Sequence, residues 1–189
     1  MTESNLNKTF NTSIKKARTP EGKWIRGYVW RGADNAYIIP ENLGVSVSDE
    51  KTFTKLSAPV EKIIPETICS PTFFLDRKCR TIYYGDYIEW SGDLWTVEFD
   101  NEKLSPILIR QKLTRNDHIV KRELSREIAP YCQVYGNIHN PFWFVDKRTQ
   151  IILTVNGELT DIKAEISEDT PYSEICEKIL PALIKEYKS

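Results

Sequence analysis

No run of apolar residues in this chain approaches the roughly 18 that suggest a membrane-spanning helix, so no membrane contact is expected. Neither sign of charge is in excess, since 26 basic side chains stand against 27 acidic ones, a formal net charge of −1. That balance argues against gripping nucleic acid by bulk electrostatics, although a basic face can sit inside a balanced total. Histidine is scarce, with His118 and His139 alone. The four cysteines, Cys69, Cys79, Cys132 and Cys176, form no Cys-x-x-Cys pair, the spacing that would suggest zinc or a redox motif. Gly-x-Ser-x-Gly and a glycine-rich phosphate loop are both missing, which leaves nucleophile-elbow and phosphate-loop chemistry without support. No catalytic residue, metal site or cofactor is predicted.

What is present describes a protein with a core. Hydrophobic residues make up 40% of the 189 and charged residues 28%, a composition that packs rather than stays disordered. Met1 to Asn11 is polar and lacks the apolar stretch of a secretory signal. The cysteines are therefore expected as free thiols in a reducing cytoplasm.

The chain is organised around Thr81 to Trp90, where two β-prone aromatic runs meet at Gly85-Asp86. Glycine takes backbone angles closed to other residues, so a bend with positive φ at Gly85 is expected. Upstream, residues 1–14 read as a flexible terminus, and Pro20-Glu21-Gly22 marks a turn. Trp24 to Trp30 then alternates, with Trp24, Arg26, Tyr28 and Trp30 on one side and Ile25 and Val29 on the other. Gly32 to Asn35 is expected to turn into Tyr37-Ile38-Ile39, which Pro40 stops, and residues 41–58 read as a loop. After Trp90, Ser91-Gly92-Asp93 turns into Leu94–Phe99, and Ile107-Leu108-Ile109 completes a meander. Asn116 or Asp117 is expected to cap a helix reaching Ile128, with Val120, Leu124 and Ile128 as its apolar stripe.

Several stretches resemble the YopX family of phage proteins. Ile82-Tyr83-Tyr84-Gly85-Asp86-Tyr87-Ile88 matches its Ile-Tyr-Glu-Gly-Asp-Ile-Val phrase. Gly22-Lys23-Trp24-Ile25-Arg26-Gly27 and Tyr37-Ile38-Ile39 resemble its opening, and Val134, Gly136-Asn137-Ile138 and Asn140-Pro141 its closing pattern. Ile64-Pro65-Glu66-Thr67-Ile68 and Thr72, Leu75, Asp76 and Lys78 follow the intervening stretch with two departures. Lys78-Cys79 replaces the family's Asn-Gly, so that turn needs another geometry, and Phe73 or Phe74 stands near the place of a glycine. The resemblance implies a mainly β fold, α+β overall, similar to a small SH3-like barrel elaborated by hairpins, over residues 15–147. It also implies a phage or prophage protein in the cytoplasm of a bacterial host.

Residues 148–189 lie outside the resemblance. Asn156-Gly157 is a strong hairpin signal, and Thr170-Pro171 offers a helix cap followed by a proline in the first turn. Ile175, Ile179 and Leu183 form a stripe that needs cover, expected from the same chain, and Pro181 should kink or restart the helix. This hairpin–helix extension should pack on the β-rich part.

The face Trp24, Arg26, Tyr28 and Trp30, followed by Arg31, is the candidate binding surface, because aromatic and Arg side chains anchor interfaces and stack on bases. The competing role is core, with Arg26 covering the rings by its stem. Pairing of His139 with Cys132 is conceivable, but an isolated thiol is usually a buried apolar residue. Asp76, Asp86, Asp93 and Asp100 all sit beside turns, where Asp bonds its own backbone. Ile82, Tyr83, Gly85, Asp86, Gly136, Asn137, Ile138, Asn140 and Pro141 are read as structural. The favoured function is non-enzymatic binding of a host or phage protein, for instance to inhibit a host system. Single-stranded nucleic-acid binding is the alternative, and a homo-oligomer is compatible with either.

Overall fold

The computed structural model describes residues 9–31, 35–41, 60–110 and 119–189. The fold is mainly β, built from antiparallel strands with a helix at the C-terminal end. No closed barrel occurs among the described residues; the strands form four separate sheets. Contacts divide the chain into Met1–Pro71 and Thr72–Ser189, whereas the sequence changes character near residue 147.

The first unit is a four-stranded sheet in the order β1 (Thr9–Arg18), β2 (Trp24–Arg31), β3 (Ala36–Pro40), β4 (Glu61–Ile63). Alternation along β2 buries Ile25 and Val29 with Ala17, Ala36, Ile38 and Ile63 on one face. β1 begins at Thr9, inside the stretch expected to be flexible, because its backbone pairs with β2 from Thr9↔Arg31 onward. Polar composition does not prevent a strand whose ladder is supplied by a neighbour. Residues 32–34 of the expected turn over 32–35, and residues 42–58 of the expected loop over 41–58, lie outside the described residues.

In the second unit β5 (Pro71–Leu75), whose first residue is the last of the first unit, pairs with β6 (Thr81–Tyr83). A five-stranded sheet follows, in the order β10 (Lys121–Glu123), β9 (Ser105–Arg110), β8 (Asp93–Asp100), β7 (Asp86–Trp90), β11 (Gln133–Asn137). Its two faces serve different cores. Ile88, Trp95, Val97 and Leu108 pack with Ile82, Leu124 and Cys132. Leu94 and Tyr87 turn the other way, against Trp143, Phe144, Ile151 and Leu153. Those last four belong to β12 (Phe142–Asp146) and β13 (Gln150–Val155), which form a sheet with β14 (Glu158–Glu165).

The expected meander β7–β8–β9 is present. Its first hairpin turns on Ser91 (φ 56°) and Gly92 (φ 81°), and β13–β14 turns on Asn156 (φ 51°) and Gly157 (φ 86°). Two consecutive left-handed residues are what a type I′ turn requires. The helix expected up to Ile128 is not formed over residues 119–128, the part of it among the described residues. Lys121–Glu123 pairs with β9 instead, and a 3₁₀ turn occupies Ala129–Tyr131. Leu124 is buried nonetheless, with Val120 and Ile128 packed on the same cluster. A spacing of four fits a strand's period of two as well as a helical turn, so the stripe marked burial but not backbone. The cap candidates Asn116 and Asp117 fall outside the described residues.

The C-terminal helix, α1, starts at Tyr172–Glu174, widens into a π turn at Ile175–Ile179 and resumes at Leu180–Tyr187. Proline in a helix lacks an N–H and crowds the carbonyl four residues back. The π turn immediately before Pro181, closed by Leu180 N–H to Ile175 O, relieves that conflict. Thr170 does not cap the helix. Pro171 occupies the cap position with ψ 148°, and the Thr170 hydroxyl accepts from Ser167 N–H instead. Ile175 and Leu183 are buried against β12 and β13, with Ile179 packed beside them. Cover for the stripe thus comes from the same chain.

The two motif stretches meet in adjacent strands. β7 pairs with β11 in a register that sets Asp86 opposite Asn137 and Tyr87 opposite Gly136. Gly85 has φ 82°, and its N–H donates to Val97 O at 2.7 Å while its carbonyl accepts from Ile138 N–H at 2.8 Å. At Gly136 a Cβ would lie 2.4 Å from the Trp143 ring, which stacks on Tyr87 with centroids 4.4 Å apart. Gly85→Ala is expected to destabilise the fold by about 1 kcal/mol or more through backbone strain. Gly136→Ala should cost about 1–3 kcal/mol by overpacking. Denaturant melts of both variants check this, and parent-like midpoints would refute it.

Candidate functional site

The face proposed from the alternation of β2 exists, with one exception. Trp24, Tyr28 and Trp30 are half-buried and Arg26 is exposed, on the side opposite Ile25 and Val29. Trp30 stacks on Tyr37 of β3 at 5.7 Å, and Lys16 Nζ lies 5.1 Å over the Trp24 ring. Arg26 Nε is 3.2 Å from Glu41. Arg31 belongs to the other face by register, opposite Ala36, and its Nη2 donates to Pro65 O at 3.2 Å. Strand alternation separates Trp30 from Arg31, so adjacency in sequence does not place them on one surface.

A site the sequence did not single out lies on β5. Phe73 is 86% exposed with φ 68°, and Leu75 is 51% exposed. A bulky residue in the left-handed region is an outlier, because its Cβ meets the following carbonyl. The sequence held a clue, since a glycine was expected near this position. Among the described residues β5 has β6 as its ladder partner and its other edge carries no ladder.

Beside it, the turn from Asp76 to Arg80 replaces the expected Asn-Gly geometry. Asp76 N–H donates to Arg80 O at 2.9 Å, and Cys79 N–H to Asp76 O at 2.9 Å, with Cys79 at φ 56°. This is a three-residue hairpin loop with its left-handed residue last. The buried Asp76 carboxylate accepts from Lys78 and Arg80 N–H, from Arg80 Nε at 2.9 Å and Nη2 at 2.6 Å, and from Val134 N–H at 3.3 Å. Burial pushes its pKa up, but the Arg80 guanidinium and these N–H groups outweigh burial and hold it below the ordinary carboxylate value.

The other motif residues serve structure. The buried Asp86 accepts from Tyr83 N–H at 2.8 Å and Asn137 Nδ2 at 2.9 Å. Asp100 accepts from Glu102 and Lys103 N–H, while Asp93 lies 3.7 Å from Arg110. Pro141 O accepts from Asn156 N–H, and Asn140 N–H donates to Asn137 O. A groove of about 570 Å³ near β7 and β8 is lined by Glu89, Asp93, Arg110, Asp146, Arg148 and Tyr172 among others. Several of its polar groups are engaged with each other, as in Tyr172 Oη to Asp146 at 3.0 Å.

Cys132 is buried, and burial with the nearby Asp76 charge pushes its pKa up to about 12. A thiol so protonated is a poor nucleophile. His139 N–H caps onto Asn137 Oδ1 at 3.1 Å, and His118 lies outside the described residues. No group of three or more His, Cys, Asp or Glu placed to hold a metal occurs among the described residues. No helix there is long and apolar enough to cross a membrane.

No match to this chain is found among protein-family models, curated proteins or solved structures.

Two outcomes follow from this chemistry. Cys79 is exposed, Cys69 and Cys132 are buried, and Cys176, partly covered, is pushed up to about 12 by burial. A thiol-alkylating reagent at neutral pH should therefore label Cys79 first in the native protein and the other three only on denaturation, as read by mass spectrometry. The Asp76 pKa is lower folded than unfolded, so its contribution is complete above about pH 4 and disappears as pH falls through the folded value. Asp76→Asn should cost about 2–3 kcal/mol at neutral pH. The gap between variant and parent melting temperatures should narrow below about pH 4. A gap that stays constant with pH would mean the charge is not what matters.

Proposed function

We propose that this chain is a YopX-like phage or prophage accessory protein that acts in the bacterial cytoplasm by binding another protein, with Phe73 and Leu75 on the binding surface. The observation that carries the reading is Phe73 itself. Left-handed backbone at a residue with a Cβ costs about 1–2 kcal/mol. Leaving the ring in water forgoes a further 1.5–3 kcal/mol or so of burial. Glycine would avoid both costs, and strain of this kind collects at functional contacts. A partner that covers the ring offsets them. Leu75 adds a second exposed apolar group two residues on, along a strand whose free edge suits strand addition. The meeting of the two motif stretches across β7 and β11 supports the family reading.

Phe73→Gly separates binding from stability. The variant loses the ring and the strain together, so its melting temperature should match the parent's or exceed it. Tagged parent protein should capture one stoichiometric partner from host lysate that the variant does not. Equal capture by both, or nothing above background from infected and uninfected cells, would overturn the proposal.

A further inference from the structure

The β5–β6 hairpin carries charge that the fold leaves unanswered. Past Phe73 and Leu75 the chain runs into Arg77 and Lys78, both exposed, whereas Thr72 and Asp76 are buried and Phe74 packs on the core. The Asp76 carboxylate is matched by Arg80, with Oδ2 2.6 Å from Nη2. No ion pair engages Arg77 or Lys78 among the described residues. Arg77 is held by its backbone, whose N–H donates to Cys132 O at 2.9 Å. That bond sets Tyr131, the residue before Cys132 and 73% exposed, beside the same end of β5. Three exposed apolar side chains and two unpaired cations are thus gathered on this hairpin and its neighbour. Acidic residues outnumber basic ones across Thr72–Ser189, so the positive charge here is local and not the background of the unit.

Resting on Phe73 and Leu75 as a binding surface, we infer that the partner is an acidic protein segment added to β5 as a further strand. Its apolar side chains cover Phe73 and Leu75, and its carboxylates meet Arg77 and Lys78. The edge of β5 away from β6 carries no ladder among the described residues. Backbone pairing along such an edge gives affinity, while side chains give the choice of sequence. Residues two apart on a strand are about 7 Å apart, and paired strands lie about 5 Å from each other. Partner residues facing Phe73 and Leu75 are therefore two positions apart, and the next on that side, two further on, falls near Arg77. The segment this selects reads apolar-x-apolar-x-acidic, in the order set by the direction of pairing. Arg77 and Lys78 stand at the loop end of the contact, where charges steer the approach of a partner more than they hold it. Two cations are few for a phosphate backbone. Neither a nucleic acid nor a lipid headgroup has peptide groups to pair with the edge.

The test selects peptides from a displayed random library on the full chain and discards those that also bind Phe73→Gly. The survivors should share apolar-x-apolar-x-Asp/Glu or its reverse, and a synthetic peptide of that consensus is the probe for kinetics. Arg77 and Lys78 are exposed, so the double variant Arg77→Gln, Lys78→Gln should keep the parent's melting temperature. It should associate with the peptide about tenfold or more slowly and dissociate at nearly the parent's rate. Association with the parent should slow as salt rises. Selection on Arg77→Glu, Lys78→Glu should return Lys or Arg where the parent returns Asp or Glu. A consensus without acidic residues, parent-like association in the Gln variant, or an unchanged consensus from the reversed variant would each overturn the inference and leave Phe73 a binding residue. If no selected peptide needs Phe73, the surface itself falls, and the inference with it. An oligonucleotide or phosphatidylglycerol vesicles bound through Phe73 and Arg77 as tightly as the peptide would assign the surface to nucleic acid or lipid and overturn the inference as well.

Discussion

A buried carboxylate must be surrounded by donors, and the Asp86 carboxylate is the constraint on which the second unit depends. Its oxygens are met by Tyr83 N–H across the Gly85 bend and by the Asn137 amide from β11. The first bond fixes the turn between β6 and β7; the second fixes the register of β7 against β11. Register then decides everything on the neighbouring surface, because a slip of one residue would send each side chain to the opposite face. With Asp86 opposite Asn137, Gly136 falls opposite Tyr87, and the missing Cβ leaves room for the Trp143 ring. Trp143 belongs to β12, so the same register that satisfies a charge also seats the first strand of the next sheet.

That chain of dependence explains which features were legible in the sequence. Gly85, Ser91-Gly92 and Asn156-Gly157 demand backbone that few residues adopt, and each announced its turn locally. Alternation along Trp24–Trp30 was equally local and gave the two faces of β2. What could not be read was whatever a distant partner decides. Residues 121–123 are strand because β9 offers an edge, and residues 9 and 10 because β2 does, though neither stretch is apolar enough to say so. Thr170 looks like a helix cap, but its hydroxyl is taken by Ser167, and closure into a barrel is a property of edges that no single strand records.

The candidate surfaces show the same division. Trp24, Arg26, Tyr28 and Trp30 were placed by period two, but Lys16, Arg18, Tyr37 and Lys62 joined them through pairing with other strands. Phe73 or Phe74 was legible as standing near a glycine that the resemblance led one to expect, and neither as a surface. The exposure of Phe73 follows from the left-handed angle, which interrupts the regular alternation of β5 while Phe74 stays packed on the core.

Phe73 and Cys79 bear on one question, whether a strained residue is an accident of substitution or is held for use. Both are left-handed without being glycine; the family resemblance sets Lys78-Cys79 at an Asn-Gly and Phe73 or Phe74 near a glycine. At Cys79 the strain has a local reason. The loop closes with Asp76 N–H to Arg80 O, and the Asp76 carboxylate gathers Lys78, Arg80 and Val134, so hydrogen bonds worth several times the strain depend on that geometry. Around Phe73 the bonds are fewer: Phe74 N–H donates to Thr72 Oγ1 at 3.3 Å and that hydroxyl donates to Ile82 O at 2.9 Å, while the Phe73 ring reaches into solvent. Glycine there would preserve the ladder and release the strain, so contacts within the folded chain do not account for the cost of Phe73.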